Sequence, residues 1–69
     1  MDWILIYKTS LYTDAAIIKG KLEENNIPVQ VLNKQDSMYV LTLPGQHEVY
    51  VPARFKDIAL GILNEVFKN

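Results

Sequence analysis

Ser37, His47 and Asp36 are the three residue types that make a hydrolytic triad: a nucleophile, a general base and a carboxylate to orient it. A working triad also needs a serine held on a sharp turn and N–H groups aimed at an oxyanion. The stretch Gln35-Asp36-Ser37-Met38-Tyr39 has no glycine to make such an elbow. Gly20-Lys21 resembles part of a phosphate loop, but the upstream glycine is missing and Leu22 follows where a serine or threonine is needed. His47 is the single histidine and cysteine is absent, so neither thiolate chemistry nor a disulfide is available. A metal site would need several convergent ligands beside that histidine, which reads instead as a solvent-facing strand start. Glu23 and Glu24 are adjacent on a helical pattern and point in different directions, so they do not converge as an acid–base pair. The residues therefore predict no enzyme, no metal and no cofactor.

The remaining polar cluster is Asn33-Lys34-Gln35-Asp36-Ser37, set between two apolar stretches. Asn, Asp and Ser bend a chain by hydrogen bonding nearby backbone, which accounts for Asn33, Asp36 and Ser37 as a connector. Loops nevertheless carry function disproportionately, so Asn33, Lys34, Asp36 and Ser37 are candidate contacts for a small anionic ligand.

These residues must be positioned by a very small scaffold. A chain of 69 residues makes one domain, 1–69, with a single core. Hydrophobic content of 49% and charged content of 22% are those of a globular chain rather than a disordered one. A net charge of −1 lacks the basic footprint of a nucleic-acid binder. Asp2 stands where a signal peptide would carry basic residues, and no apolar run approaches the roughly 18 residues of a membrane span. The expected setting is cytoplasmic, with no membrane partner.

The run Trp3 to Tyr7 is rich in aromatic and β-branched residues and predicts a strand over 2–8, Ile4 and Ile6 on one face, Trp3, Leu5 and Tyr7 on the other. Ser10 is the expected N-cap of a helix over 11–25, whose buried stripe is Leu11, Ala15, Ile18 and Leu22, with Ile17 beside it. Asn25-Asn26 should end that helix, because asparagine tolerates the left-handed conformation used there. Strands are expected at 27–33 and 46–51, with a short extra strand at 39–43 leading into a Pro44-Gly45 turn. Along 46–51, Val49 and Val51 share one face and Glu48 and Tyr50 the other. Pro52 suits the first turn of a helix over 53–67, burying Phe55, Ile58, Ala59, Ile62 and Val66, with Leu63 at the margin.

The order β-α-β-β-α predicts an α+β, ferredoxin-like unit. A helical crossover joins parallel strands, which must flank a third, so the sheet order is 1-3-2 with two helices on one face. The other face then displays Trp3, Leu5, Tyr7, Leu32 and Tyr50, and an apolar patch of that kind marks an interface. A protein partner or a weak homodimer, joined face to face or through the first strand's edge, is expected there.

Thr9-Ser10, the run from Asp14 to Ile27, Val49-Tyr50-Val51-Pro52 and the closing helix together resemble a small bacterial family described as prokaryotic signal-transducing proteins. That family is a domain of unknown function akin to PII-like regulators. The resemblance spans nearly the whole chain and rests on packing and cap positions. Asn26 stands where the family often has glycine, and Lys21 where an aliphatic residue is common. The resemblance implies a non-catalytic regulatory or protein-interaction module. Its alternative is a PII-like sensor of an anionic metabolite, using the loop 33–37 as its recognition element.

Overall fold

The computed structural model of the chain describes residues 2–34 and 46–68. The expected strand at 39–43 and the loop residues 35–37 lie outside them. The elements are strand β1 (Trp3–Thr9), helix α1 (Tyr12–Glu24), strands β2 (Gln30–Lys34) and β3 (Gln46–Pro52), a 3₁₀ turn (Ala53–Phe55) and helix α2 (Lys56–Val66). The sheet has the order β1-β3-β2, with β3 antiparallel to both neighbours. This is the α+β, β-α-β-β-α arrangement expected from the element order.

Both helices cover one face. Ala15, Ile18 and Leu22 of α1, Ala59 and Leu63 of α2, Val49 and Val51 of β3, and Ile27 make a single buried cluster. Ile4, Ile6, Tyr7, Val29, Val31, Phe55 and Ile62 pack around it, half-buried. The β3 alternation expected from the sequence holds, since Val49 and Val51 are fully buried against the helices.

The start of α1 differs from expectation. The helix begins at Tyr12, its N-cap is Leu11, and no side chain caps it. Thr9, not Ser10, supplies the local hydroxyl, its Oγ1 accepting a hydrogen bond from the Leu11 N–H at 3.0 Å. Leu11 sits outside the first turn and is 57% exposed rather than buried.

The C-terminus of α1 is a complete left-handed cap. Asn26 has φ 61°, its N–H donates to the Glu23 carbonyl at 3.0 Å, and the Ile27 N–H donates to the Leu22 carbonyl at 3.0 Å. Those are the two bonds of a Schellman motif, and its usual hydrophobic contact is supplied by buried Ile27 and Leu22. The Asn25 side chain adds a hydrogen bond to the Lys21 carbonyl at 2.9 Å. The cap draws Ile27 into the core, and Pro28 has no N–H for a ladder, so β2 starts at Gln30 rather than at 27.

Pro52 closes β3 instead of opening a helix. The Ala53 N–H donates to the Asp2 carbonyl at 2.7 Å, tying this corner to the chain just before β1. The 3₁₀ turn follows, and α2 proper begins at Lys56. The expected buried stripe of α2 is corrected in two places: Ile58 is 57% exposed, while Leu63 is buried. Apolar residues surround most of this helix, so its sequence offers more than one stripe. The 3₁₀ turn, at three residues per turn, also breaks the helical phase counted onward from Phe55. Fully buried Ala59 has the smallest side chain among the candidates and lets the helix approach the sheet closely.

Candidate functional site

The face of the sheet opposite the helices is built by register. Residues paired across antiparallel strands point to the same side, so three rows of side chains can be assigned. Trp3 lies across from Pro52; Leu5 from Tyr50, which is also paired with Gln30; Lys8 from Glu48, which is also paired with Leu32. Trp3, Leu5 and Leu32 are 37%, 46% and 42% exposed, and Tyr50 is half-buried. Four of the five residues expected on this face are therefore there.

Tyr7 is not. The β1–β3 register shifts between Leu5 and Tyr7, leaving Ile6 as an extra residue. This is a β-bulge, and it reverses the alternation for the rest of the strand. Tyr7 thereby pairs with buried Val49, turns to the helix side, and stacks on Phe67 with ring centroids 5.2 Å apart and planes 14° from parallel. The signal for this was Lys8. Strict alternation from Ile4 and Ile6 would aim Lys8 into the helix layer, where an unpaired ammonium is heavily penalised. The bulge places Lys8 on the open face and exposed.

The open face thus grades from an apolar end at Trp3 and Leu5 to a mixed end at Lys8, Glu48 and Leu32, with Pro52 buried beside Trp3. Glu48 accepts a hydrogen bond from the Tyr50 hydroxyl, 2.8 Å to Oε1. That bond raises the Tyr50 phenol above its ordinary value, with partial desolvation and the Glu48 charge adding in the same direction. Tyr50, paired across from Leu5 and tethered to Glu48, is an aromatic anchor with little rotamer freedom left to lose.

Beyond Val49, the helix-side row ends in Thr9, His47 and Asn33, paired across the three strands. His47 is half-buried rather than solvent-facing, and Tyr12 meets its ring edge-on at 5.8 Å. Asn33 is exposed at this end of β2, and Lys34 is the last residue of the strand. Asp36 and Ser37 are outside the described residues. A groove of about 240 Å³ runs along the flank of α1 beside β2, with Tyr12, Ala16, Lys19, Gly20 and Glu23 on the helix and Val31 on the strand.

The other residues with chemical potential have structural employment. Glu23 pairs with Lys19 at 3.2 Å and Glu24 with Lys21 at 3.8 Å, all exposed. Lys21, exposed, makes this flank of α1 wet. Gly20-Lys21 lies within α1, where no loop cradles an anion. Among the described residues no three His, Asp or Glu side chains converge on a point where a metal could sit.

An apolar, shallowly graded sheet face on a two-layer α+β domain defines the class of this chain. No protein-family model, curated protein or solved structure matches it.

Proposed function

We propose that this domain is a non-catalytic regulatory or protein-interaction module that binds a protein partner through the open sheet face. The observation that carries the reading is the row Trp3, Leu5 and Leu32, large side chains 37–46% exposed around the anchored ring of Tyr50. Interface cores are enriched in such aromatic and aliphatic groups, and no described element covers them. The regulatory sense comes from the family resemblance, and a cytoplasmic setting belongs to the same proposal. In keeping with that setting, no described helix is long and apolar enough to cross a membrane.

The face suits a different chain better than its own copy. A two-fold axis along the strands would lay Glu48 over its own symmetry mate. An axis across the strands would lay exposed Trp3 over Lys8 and Glu48. Both set charge against charge or against apolar surface, which disfavours association. A partner with an aliphatic ridge and one acidic group for Lys8 meets neither difficulty.

The test replaces Leu5 and Leu32 with lysine, both exposed, so folding is expected to survive. Tagged parent and variant are used to capture proteins from the native cells. A protein held by the parent and lost by the variant, which also shields Trp3 from a soluble quencher, supports the reading. Identical capture by both defeats it.

A further inference from the structure

The first half of β1 turns the backbone groups of Trp3 and Leu5 out from the sheet, and their spacing is self-complementary. We infer that a second copy of this chain docks on this edge, Trp3 of one β1 pairing with Leu5 of the other about a two-fold axis at Ile4, so that the two sheets become one. The seam lies on the edge of the sheet rather than its open face and does not rest on the proposed function.

The hydrogen-bond phase of β1 identifies these groups. The Ala53 N–H donates to the Asp2 carbonyl at 2.7 Å, and Asp2 and Ala53 are the pair next to Trp3 and Pro52 in the register. Hydrogen-bonded and non-hydrogen-bonded pairs alternate along an antiparallel ladder. Asp2 and Ile4 therefore direct their N–H and C=O groups to β3, and Trp3 and Leu5 direct theirs away from the sheet. Pro52 agrees with this phase, since opposite Trp3 it has no ladder bond to donate. Among the described residues no strand pairs with the outward groups. The connection 35–45 is too short to line them. It is tied at Lys34 and Gln46, which pair with each other at the opposite end of the sheet. Doubled back on itself, a connection of that length extends about 20 Å. The edge beside Trp3 lies roughly 22 Å from Gln46, the length of β3 and two strand spacings.

The register of the seam follows from the same phase. Setting Trp3 against Leu5 of the second copy, and Leu5 against its Trp3, uses every outward N–H and C=O of both stretches, each pair exchanging both its hydrogen bonds. Centring the seam on Leu5 would instead set Trp3 against Tyr7, across the bulge at Ile6 and on the other side of the sheet. Centring it on Trp3 would set the Asp2 carboxylate against half-buried Ile4. With the axis at Ile4, like meets like, and Asp2 falls beyond the paired stretch. The bulge confines pairing to the regular stretch and keeps the seam from sliding.

Both sides of the seam are apolar. On the open face, exposed Trp3 and Leu5 lie beside Leu5 and Trp3 of the second copy. On the helix side Ile4 meets its own mate, and α2 supplies the flank. Phe67 stacks on Tyr7 of β1, and Leu60, two turns earlier, shares its side of the helix; both are exposed. Lys56 begins the same flank, exposed and long enough to keep its ammonium in water. Because α2 packs on both β1 and β3, it sits inward of the edge, and its two-fold mate lies roughly 10 Å away, the usual separation of packed helices. With 11 residues α2 is about 17 Å long, and the molecule is 15 Å across its shortest axis. A seam of roughly 250 Å² in section is well short of the ~800 Å² per partner of a standard stable interface. The dimer is accordingly weak and concentration-dependent.

The chain has no cysteine, so single cysteines report the register cleanly. In the seam, Trp3 and Leu5 of opposite copies have Cα atoms about 5.5 Å apart, within disulfide reach. Trp3 and its own mate, or Leu5 and its own, are about 9 Å apart and beyond it. Sedimentation of the parent should show the average mass rising toward two chains between about 10 µM and 1 mM, the range of a small interface. Trp3→Cys and Leu5→Cys chains, mixed and oxidised, should cross-link one of each, and neither should cross-link alone. Leu60→Glu, at an exposed position of the helix layer, should hold the protein monomeric with its helical signal unchanged. A parent that stays monomeric throughout overturns the inference. So does cross-linking of like with like in preference to the mixed pair, or a dimer that ignores Leu60→Glu. Leu60 lies off the open face, so Leu60→Glu should leave partner capture intact, and a failure here is distinguishable from a failure of the proposed function.

Discussion

Truncating Leu63 and Ile58 separately to alanine tests the packing of α2, the element where expectation and structure part. Leu63 is 7% exposed, and Leu63→Ala removes three carbons from a closed core. At about 0.8 kcal/mol per buried carbon the transfer loss is about 2.4 kcal/mol. A partly relaxed cavity brings the total to about 3 kcal/mol, inside the usual range for such changes. Ile58 is 57% exposed, so less than half of the same three carbons' worth is at stake, about 1 kcal/mol. Alanine is also the better helix former, returning about 0.4 kcal/mol, for a net loss of about 0.5 kcal/mol. A domain of 69 residues has on the order of 3–10 kcal/mol of stability in all. Leu63→Ala should therefore lower Tm by about 12–24 °C or leave the chain largely unfolded, and Ile58→Ala by only about 2–4 °C. Thermal and urea melts followed by circular dichroism read both. Equal losses, or a larger loss at Ile58, would show that α2 is rotated about its axis relative to this structure and would refute the packing argument.

Three further outcomes are expected. A double-mutant cycle on Tyr7→Leu and Phe67→Leu should give a coupling of about 0.5–1.5 kcal/mol for the stacked pair; zero coupling would put Tyr7 back on the open face. Asn26→Ala should destabilise by about 1 kcal/mol, the cost of a left-handed alanine, whereas Asn26→Gly should melt within a few degrees of the parent. Because the folded-state pKa of Tyr50 is raised above its unfolded value, its contribution to stability is full below the unfolded pKa and is lost as pH rises through the folded one. Glu48→Gln should lower the pH at which Tyr50 ionises, followed by ultraviolet absorbance against a Tyr50→Phe reference; an unchanged profile would remove Glu48 as the cause.

Local rules carried far in this chain. The order of elements, the strand order 1-3-2 and the face of β3 follow from alternation and from the need of a helical crossover to join parallel strands. The end of α1 follows as well, since Asn26 is one of few residues that adopts φ 61° cheaply and Pro28 forbids continuation. What sequence periodicity could not decide is the phase of any segment apolar on all sides. Along residues 3–7 every side chain is a hydrophobe, so nothing local chooses where the alternation slips. The bulge at Ile6 is set by β3, whose buried Val49 needs an apolar partner while Lys8, one residue on, needs water. In α2 likewise, Ile58 and Leu63 are equally fit for burial, and the choice falls to the close approach of Ala59 to the sheet. The same reason governs the candidate site. Trp3, Leu5, Leu32 and Tyr50 are legible as one face from strand parity, but Tyr7 leaves it and Lys8 joins it through a backbone irregularity that only pairing with a distant strand imposes.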